Sequence, residues 1–136
     1  MDDIGNPLDG VEEIMTRHDW VFDRPTPDEL LVQIAGKRSH YNVTFIWQEE
    51  FQALQFFCEM DLQVPKKRME MAARTLQDIN EDLWLGHFDV PRSSGVPCFR
   101  HTIIFRGMGH VSGVDHVRDI VEIGIAECER CYNTFS

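Results

Sequence analysis

Basic side chains are scarce in this chain. Its 136 residues carry 13 Lys and Arg against 23 Asp and Glu, a formal charge of -10 at pH 7. A field of that sign repels phosphate backbones and anionic bilayers, so neither nucleic acid nor a membrane is an expected partner. Long apolar runs are missing too, and no segment approaches the length that a membrane-spanning helix needs. Met1-Asp2-Asp3-Ile4-Gly5-Asn6 places acids where a signal or transit peptide needs bases, and no apolar stretch follows. The expected location is the cytoplasm, where the four cysteines (Cys58, Cys98, Cys128, Cys131) stay reduced. The chain has no G-x-S-x-G, H-E-x-x-H, P-loop or EF-hand run, and therefore no motif that calls for a cofactor.

What is present reads as a single domain over residues 1–136, with 43% hydrophobic and 26% charged residues, as in ordinary globular proteins. Asn6, Pro7 and Asp9 signpost a first helix, with Leu8, Val11, Ile14, Met15 and His18 on one side. From Trp20 the period becomes two. Trp20-Val21-Phe22 is a short strand, Arg24 to Asp28 a turn, and Leu30 to Ala35 a second strand. Tyr41, Val43, Phe45 and Trp47 line one face of a third, and Leu54, Phe56, Cys58, Met60, Leu62 and Val64 one face of a fourth. Pro65 opens a second helix whose stripe is Met69, Ala72, Leu76, Ile79 and Leu83. The run Asn80 to Val90 passes from that helix into a strand with almost no loop, with Gly86 at the left-handed cap and Trp84 and Phe88 as apolar anchors. His87–Val90 and Val96–Arg106 then form a hairpin. Ser112 caps a last helix, with Asp115 three residues on. Val114, Val117, Val121, Gly124, Cys128, Cys131 and Phe135 form its inner face. The order α-ββββ-α-ββ-α predicts an α+β fold: a twisted antiparallel sheet of about six strands with helices grouped against it. Phe56, Met69, Leu76, Trp84, Phe105, Val117 and Val121 are the expected core.

Three features resemble chemistry. Cys128-x-x-Cys131 falls mid-helix on the apolar face, away from the helix N-terminus that activates a thiol, and no second ligand pair completes a zinc site. Gly107 to Gly113 lies between strand and helix, yet its spacing does not fit a dinucleotide fingerprint, which leaves a flexible turn. His87 and Asp89 share one face of a short strand, and His101 lies on the next strand, so the three, with Cys98 as an extra ligand, define an alternative metal or general-base site. The simpler reading of each histidine is a half-buried side chain bonded to backbone. One oddity remains in the second helix. Lys66, Lys67 and Arg68 occupy its first turn and Asp78, Glu81 and Asp82 its last, against the macrodipole at both ends. Two copies run antiparallel would set these charges against each other, with apolar residues between.

With these motifs in place, the chain resembles the YbjN-domain family, a group of candidate bacterial sensory-transduction regulators. The likeness rests on Glu12 to Trp20, Tyr41 with Phe45 to Glu50, Asn80 to Asp89, Phe99-Arg100-His101, and Val121-Glu122-Ile123 with Ala126 to Arg130. It implies the fold of type III secretion chaperones, a protein-binding or regulatory role and dimers, and it carries over no catalytic residue. The turn Gly36 to His40 departs from the family pattern, and the likeness implies a further segment beyond Ser136. The expected function is a non-enzymatic cytoplasmic protein–protein interaction module, chaperone-like or regulatory, acting as a homodimer with a protein partner. The partner or dimer surface would be Lys66, Lys67, Arg68, Asp78, Glu81 and Asp82. The alternatives are a small-ligand sensor using Trp20, Trp47 and Trp84, and a metal-dependent hydrolase using His87, Asp89 and His101.

Overall fold

A computed structural model describes residues 6–107 and 110–136, the side chains of residues 110–114 excepted. The chain runs α1 (Leu8–Arg17), β1 (Phe22–Thr26), β2 (Glu29–Ala35), β3 (His40–Gln48), β4 (Ala53–Met60), a 3-10 turn (Lys66–Arg68), α2 (Met69–Asp82), β5 (His87–Asp89), β6 (Cys98–Ile104) and α3 (His110–Phe135). The six strands form one antiparallel sheet in the order β1-β2-β3-β4-β6-β5. This is the α+β architecture that the residue pattern predicts.

Alternation of side chains gives the sheet a dry face and a wet one. Leu30, Val32 and Ile34 of β2, Tyr41, Val43, Phe45 and Trp47 of β3, and Leu54, Phe56, Cys58 and Met60 of β4 are all buried. α1 and α3 cover this face, and α2 packs at the edge beside β5. Phe45, Phe56, Phe99 and Phe88 form a chain of ring contacts across it, ending on Phe135 of α3. Gly124 lets α3 approach closely, since a Cβ there would lie 2.7 Å from the Phe56 ring.

Local capping follows the side-chain chemistry. Asn6 Oδ1 accepts from the Leu8 N–H at 3.0 Å, and Pro7 is already helical at φ -67°. The Arg24 guanidinium reaches Asp9 at 2.7 Å and Glu12 at 2.6 Å, which ties β1 to α1. On α3, the Glu129 carboxylate accepts from the backbone N–H of Lys37, from that of Arg38 at 3.1 Å and from the Tyr41 hydroxyl at 2.8 Å. One helical side chain thereby holds the β2–β3 turn.

Several expectations need correction. Arg24 to Thr26 belong to β1, and the turn shrinks to Pro27-Asp28; an edge strand tolerates Pro25 because its missing N–H need not bond a neighbour. His18 is exposed, although it stacks on Trp20. Trp84 is 77% exposed rather than core, because α2 ends at Asp82 and Leu83 turns extended (φ -80°, ψ 130°), which breaks the helical phase one residue early. Met69 and Leu76 are half-buried, as befits a helix at a sheet edge. The expected cap at Ser112 lies outside the described side chains, and α3 begins at His110.

Candidate functional site

The register of β5 and β6 decides the fate of the His87, Asp89 and His101 constellation. His87 pairs with Arg100 and Asp89 with Cys98, so both project from the open face of the sheet. His101 pairs with Phe56 and shares the parity of Phe99 and Ile103, toward the helices. Alternation thus sends the third member to the opposite side. Asp89 instead accepts from Arg100 at 3.3 Å, and the Arg100 guanidinium lies 5.0 Å from the Phe57 ring centre. His101 has its pKa lowered by burial first and then by neighbouring His87, both of which disfavour its protonated form. Burial raises the Cys98 thiol to about 12, so it is a protonated thiol at neutral pH. Among the described residues no three His, Cys, Asp or Glu side chains gather to hold a metal ion.

The cysteine pair packs as a structural feature. Cys128 and Cys131 both face inward, and Cys128 Sγ lies 3.6 Å from Cys58 Sγ with both buried. All four cysteines are free. The hydrogen bond to Cys58 and burial both push the Cys128 thiol up, away from the thiolate that redox chemistry needs.

The charged ends of α2 are where the sequence puts them. Lys66, Lys67, Arg68, Asp78, Glu81 and Asp82 are all exposed, and none makes an ion pair among the described residues. The apolar stripe expected between them faces inward, against the protein's own core. The outward face offers Glu70, Arg74, Gln77 and, as its large apolar side chain, Met71 at 66% exposure.

A different surface carries Trp84, the most exposed large aromatic side chain among the described residues. The turn after α2 holds Trp84 outside the core and beside Leu85, facing the first half of α3. Between them runs a groove of about 520 Å³ lined by Trp84, Leu85, His101, Ile103, Ile120 and Ile123, with His116, Asp119 and Glu122 also bordering it. His116, Asp119, Ile120 and Ile123 lie three and four residues apart, so this wall is one ridge of α3, about 10 Å long. Two anchors fix the opposite wall. Asn80 bonds both backbone groups of Phe88, accepting from its N–H at 2.7 Å and donating to its carbonyl at 3.1 Å. Gly86 adopts φ +68°, and a Cβ there would lie 2.5 Å from the Phe99 ring. The Trp84 loop is therefore a built feature and not a frayed helix end.

The three tryptophans have separate surroundings. Trp20 stacks on His18, Trp47 is buried edge-on to Phe105, and Trp84 stands at the groove. They do not line one common ligand cavity.

The family model described as "YbjN: Putative bacterial sensory transduction regulator" matches residues 7–136. The chain belongs to the YbjN family. Its fold is similar to that of a solved structure described as YbjN, "a putative transcription regulator from E. coli", with a TM-score of 0.58 and 12% sequence identity. The likeness covers 90% of this chain and 91% of that one. At that identity it is a likeness of fold. No curated protein matches the chain. Among the described residues of this YbjN domain, no helix is long and apolar enough to cross a membrane.

Proposed function

We propose that this YbjN domain is a non-enzymatic protein–protein interaction module of the cytoplasm, chaperone-like or regulatory in role. The observation that carries the proposal is Trp84, a large aromatic side chain held 77% exposed on a braced loop, above an apolar groove. Isolated exposed hydrophobes are ordinary, but a tryptophan contiguous with Leu85, Ile103, Ile120 and Ile123 has the character of a binding anchor. The family description, a sensory-transduction regulator, supports a role exerted through contact. The hydrolase alternative loses its basis with His87 and Asp89 on one face and His101 on the other. A small-ligand sensor is the weaker reading, since a small molecule is usually enclosed over most of its surface and this groove leaves Trp84 open to solvent.

The proposal includes self-association through α2. The unpaired charges of opposite sign at its two ends support that arrangement, in which a two-fold axis sets Lys66, Lys67 and Arg68 against Asp78, Glu81 and Asp82 of the mate.

In-cell cross-linking followed by affinity capture of the tagged protein tests the main reading. The expected result is a discrete partner chain at near-stoichiometric yield. Recovery of no chain above background would contradict it.

A further inference from the structure

We infer that the Trp84 groove is a docking site for an amphipathic helical segment of another protein, with a bulky apolar stripe on one side and Lys or Arg beside it. The inference rests on the protein-binding reading and specifies its site and the chemistry of its partner.

The shape of the floor comes first. One wall is the α3 ridge and the other is the Trp84-Leu85 turn, with Ile103 of β6 at the base. A ridge of about two helical turns facing the apolar Trp84-Leu85 turn accepts a helix laid alongside, which anchors itself through side chains three and four residues apart. Trp84 is the side chain that such a helix would cover, and burying an exposed tryptophan contributes most where the surrounding contacts exclude water.

Charge selects the occupant. Asp119 and Glu122 are exposed on the outer side of the α3 ridge, three residues apart and so about one helical turn from each other. Arg118 approaches Asp119 only at 4.0 Å, with both side chains more than half exposed, so it neutralises that carboxylate weakly. Among the described residues lining the groove there is no Lys or Arg. An acidic lip on a chain of net charge -10 attracts a basic segment and repels an acidic one of equal hydrophobicity. Basic side chains spaced three or four apart on the incoming helix would meet both carboxylates while its stripe faces Trp84.

The test uses two fluorescein-labelled 18-residue amphipathic helices with identical leucine stripes, one with lysine and one with glutamate on the polar face, read by anisotropy. The Leu/Lys peptide should bind the whole protein, and the Leu/Glu peptide about tenfold or more weaker. Trp84→Ala should weaken Leu/Lys binding about tenfold, and Trp84→Phe should restore most of it. Asp119→Lys with Glu122→Lys should weaken it about fivefold or more. The charge-matched control Asp23→Lys with Glu50→Lys, on exposed residues that make no side-chain hydrogen bond or ion pair among the described residues, should change it less than about twofold. Trp84→Ala is exposed, so unchanged far-UV circular dichroism should accompany its loss of binding. Equal effects of the two charge reversals, or indifference to Trp84→Ala, would overturn the inference. So would a concentration-dependent dimer that the peptide dissociates and Trp84→Ala abolishes, since a second copy would then fill the groove. If Trp84→Ala protein still captures the same partner from cells, the groove assignment fails and the protein-binding reading stands. If wild type captures none, that reading fails itself.

Discussion

Removing the Glu129 carboxylate should unlock the β2–β3 turn from α3 at a cost that the structure allows us to apportion. Glu129 accepts from three donors: the N–H groups of Lys37 and Arg38 and the hydroxyl of Tyr41. Lys37 and Arg38 are exposed, so water can replace the carboxylate at their amides at small net cost. Tyr41 is fully buried, and its hydroxyl has no such recourse. A stranded buried hydroxyl costs about 1–3 kcal/mol, and the lost amide contacts add about 1 kcal/mol more. Glu129→Ala should therefore destabilise by about 2–4 kcal/mol, and Glu129→Gln by less, since one amide oxygen still accepts. The pH dependence has a definite sign. Burial raises the Glu129 pKa, but the bonds from Tyr41, Lys37 and Arg38 outweigh it and leave it below its usual 4.5. A carboxyl whose folded pKa is depressed contributes stability that is complete above its unfolded value and is lost as pH falls through the folded one. The gap between wild type and Glu129→Gln should thus be full at pH 7 and shrink below about pH 4.5. Urea unfolding followed by circular dichroism at both pH values measures this, with the slope on denaturant unchanged. A Glu129→Ala cost under about 0.5 kcal/mol, or a gap that widens in acid, would show that the carboxylate does not hold the turn.

Two further outcomes follow from other parts of the molecule. Cys58, Cys98, Cys128 and Cys131 are buried, with the Cys128 thiol raised by its bond to Cys58 and by burial, and the Cys98 thiol raised to about 12 by burial. Iodoacetamide at pH 8 should leave all four unlabelled in the native protein and label all four in urea; rapid native labelling would contradict their placement. Sedimentation in low salt should show self-association that Lys67→Glu with Arg68→Glu weakens, that added Glu81→Lys with Asp82→Lys restores, and that salt screens. Indifference to the swaps would place any dimer contact elsewhere.

The sheet was legible because its signal is strictly local. The period-two alternation of Tyr41 to Trp47 and Leu54 to Met60 states which side is dry; Gly86 does adopt the left-handed backbone that glycine favours, but in the turn three residues past the extended Leu83 and not as the cap of α2. The groove was not legible, because its walls come from the turn after α2, from β6 and from α3, and the stripe of α2 reads onward through Leu83 as though Trp84 belonged to the core. What ends the helix is the extended backbone at Leu83, while Asn80 reaches past it to hold both backbone groups of Phe88. Only the Asn80 side chain hints at this in the sequence, and an asparagine near a helix C-terminus has commoner explanations. The separation of His87 from His101 was hidden for a related reason. Each strand's parity was readable, but which residues faced each other across the hairpin depended on a register set by the long Val90–Pro97 connection.

Contact with a partner through Trp84 is open to direct test by photo-cross-linking from that position. A photoreactive residue at position 84, and the same residue at position 31 on the open face of the sheet, would be irradiated in cells and the adducts resolved by mass. One discrete adduct with another polypeptide is expected from position 84 and none from position 31. No adduct from position 84, or the same adducts from both positions, would contradict contact through Trp84.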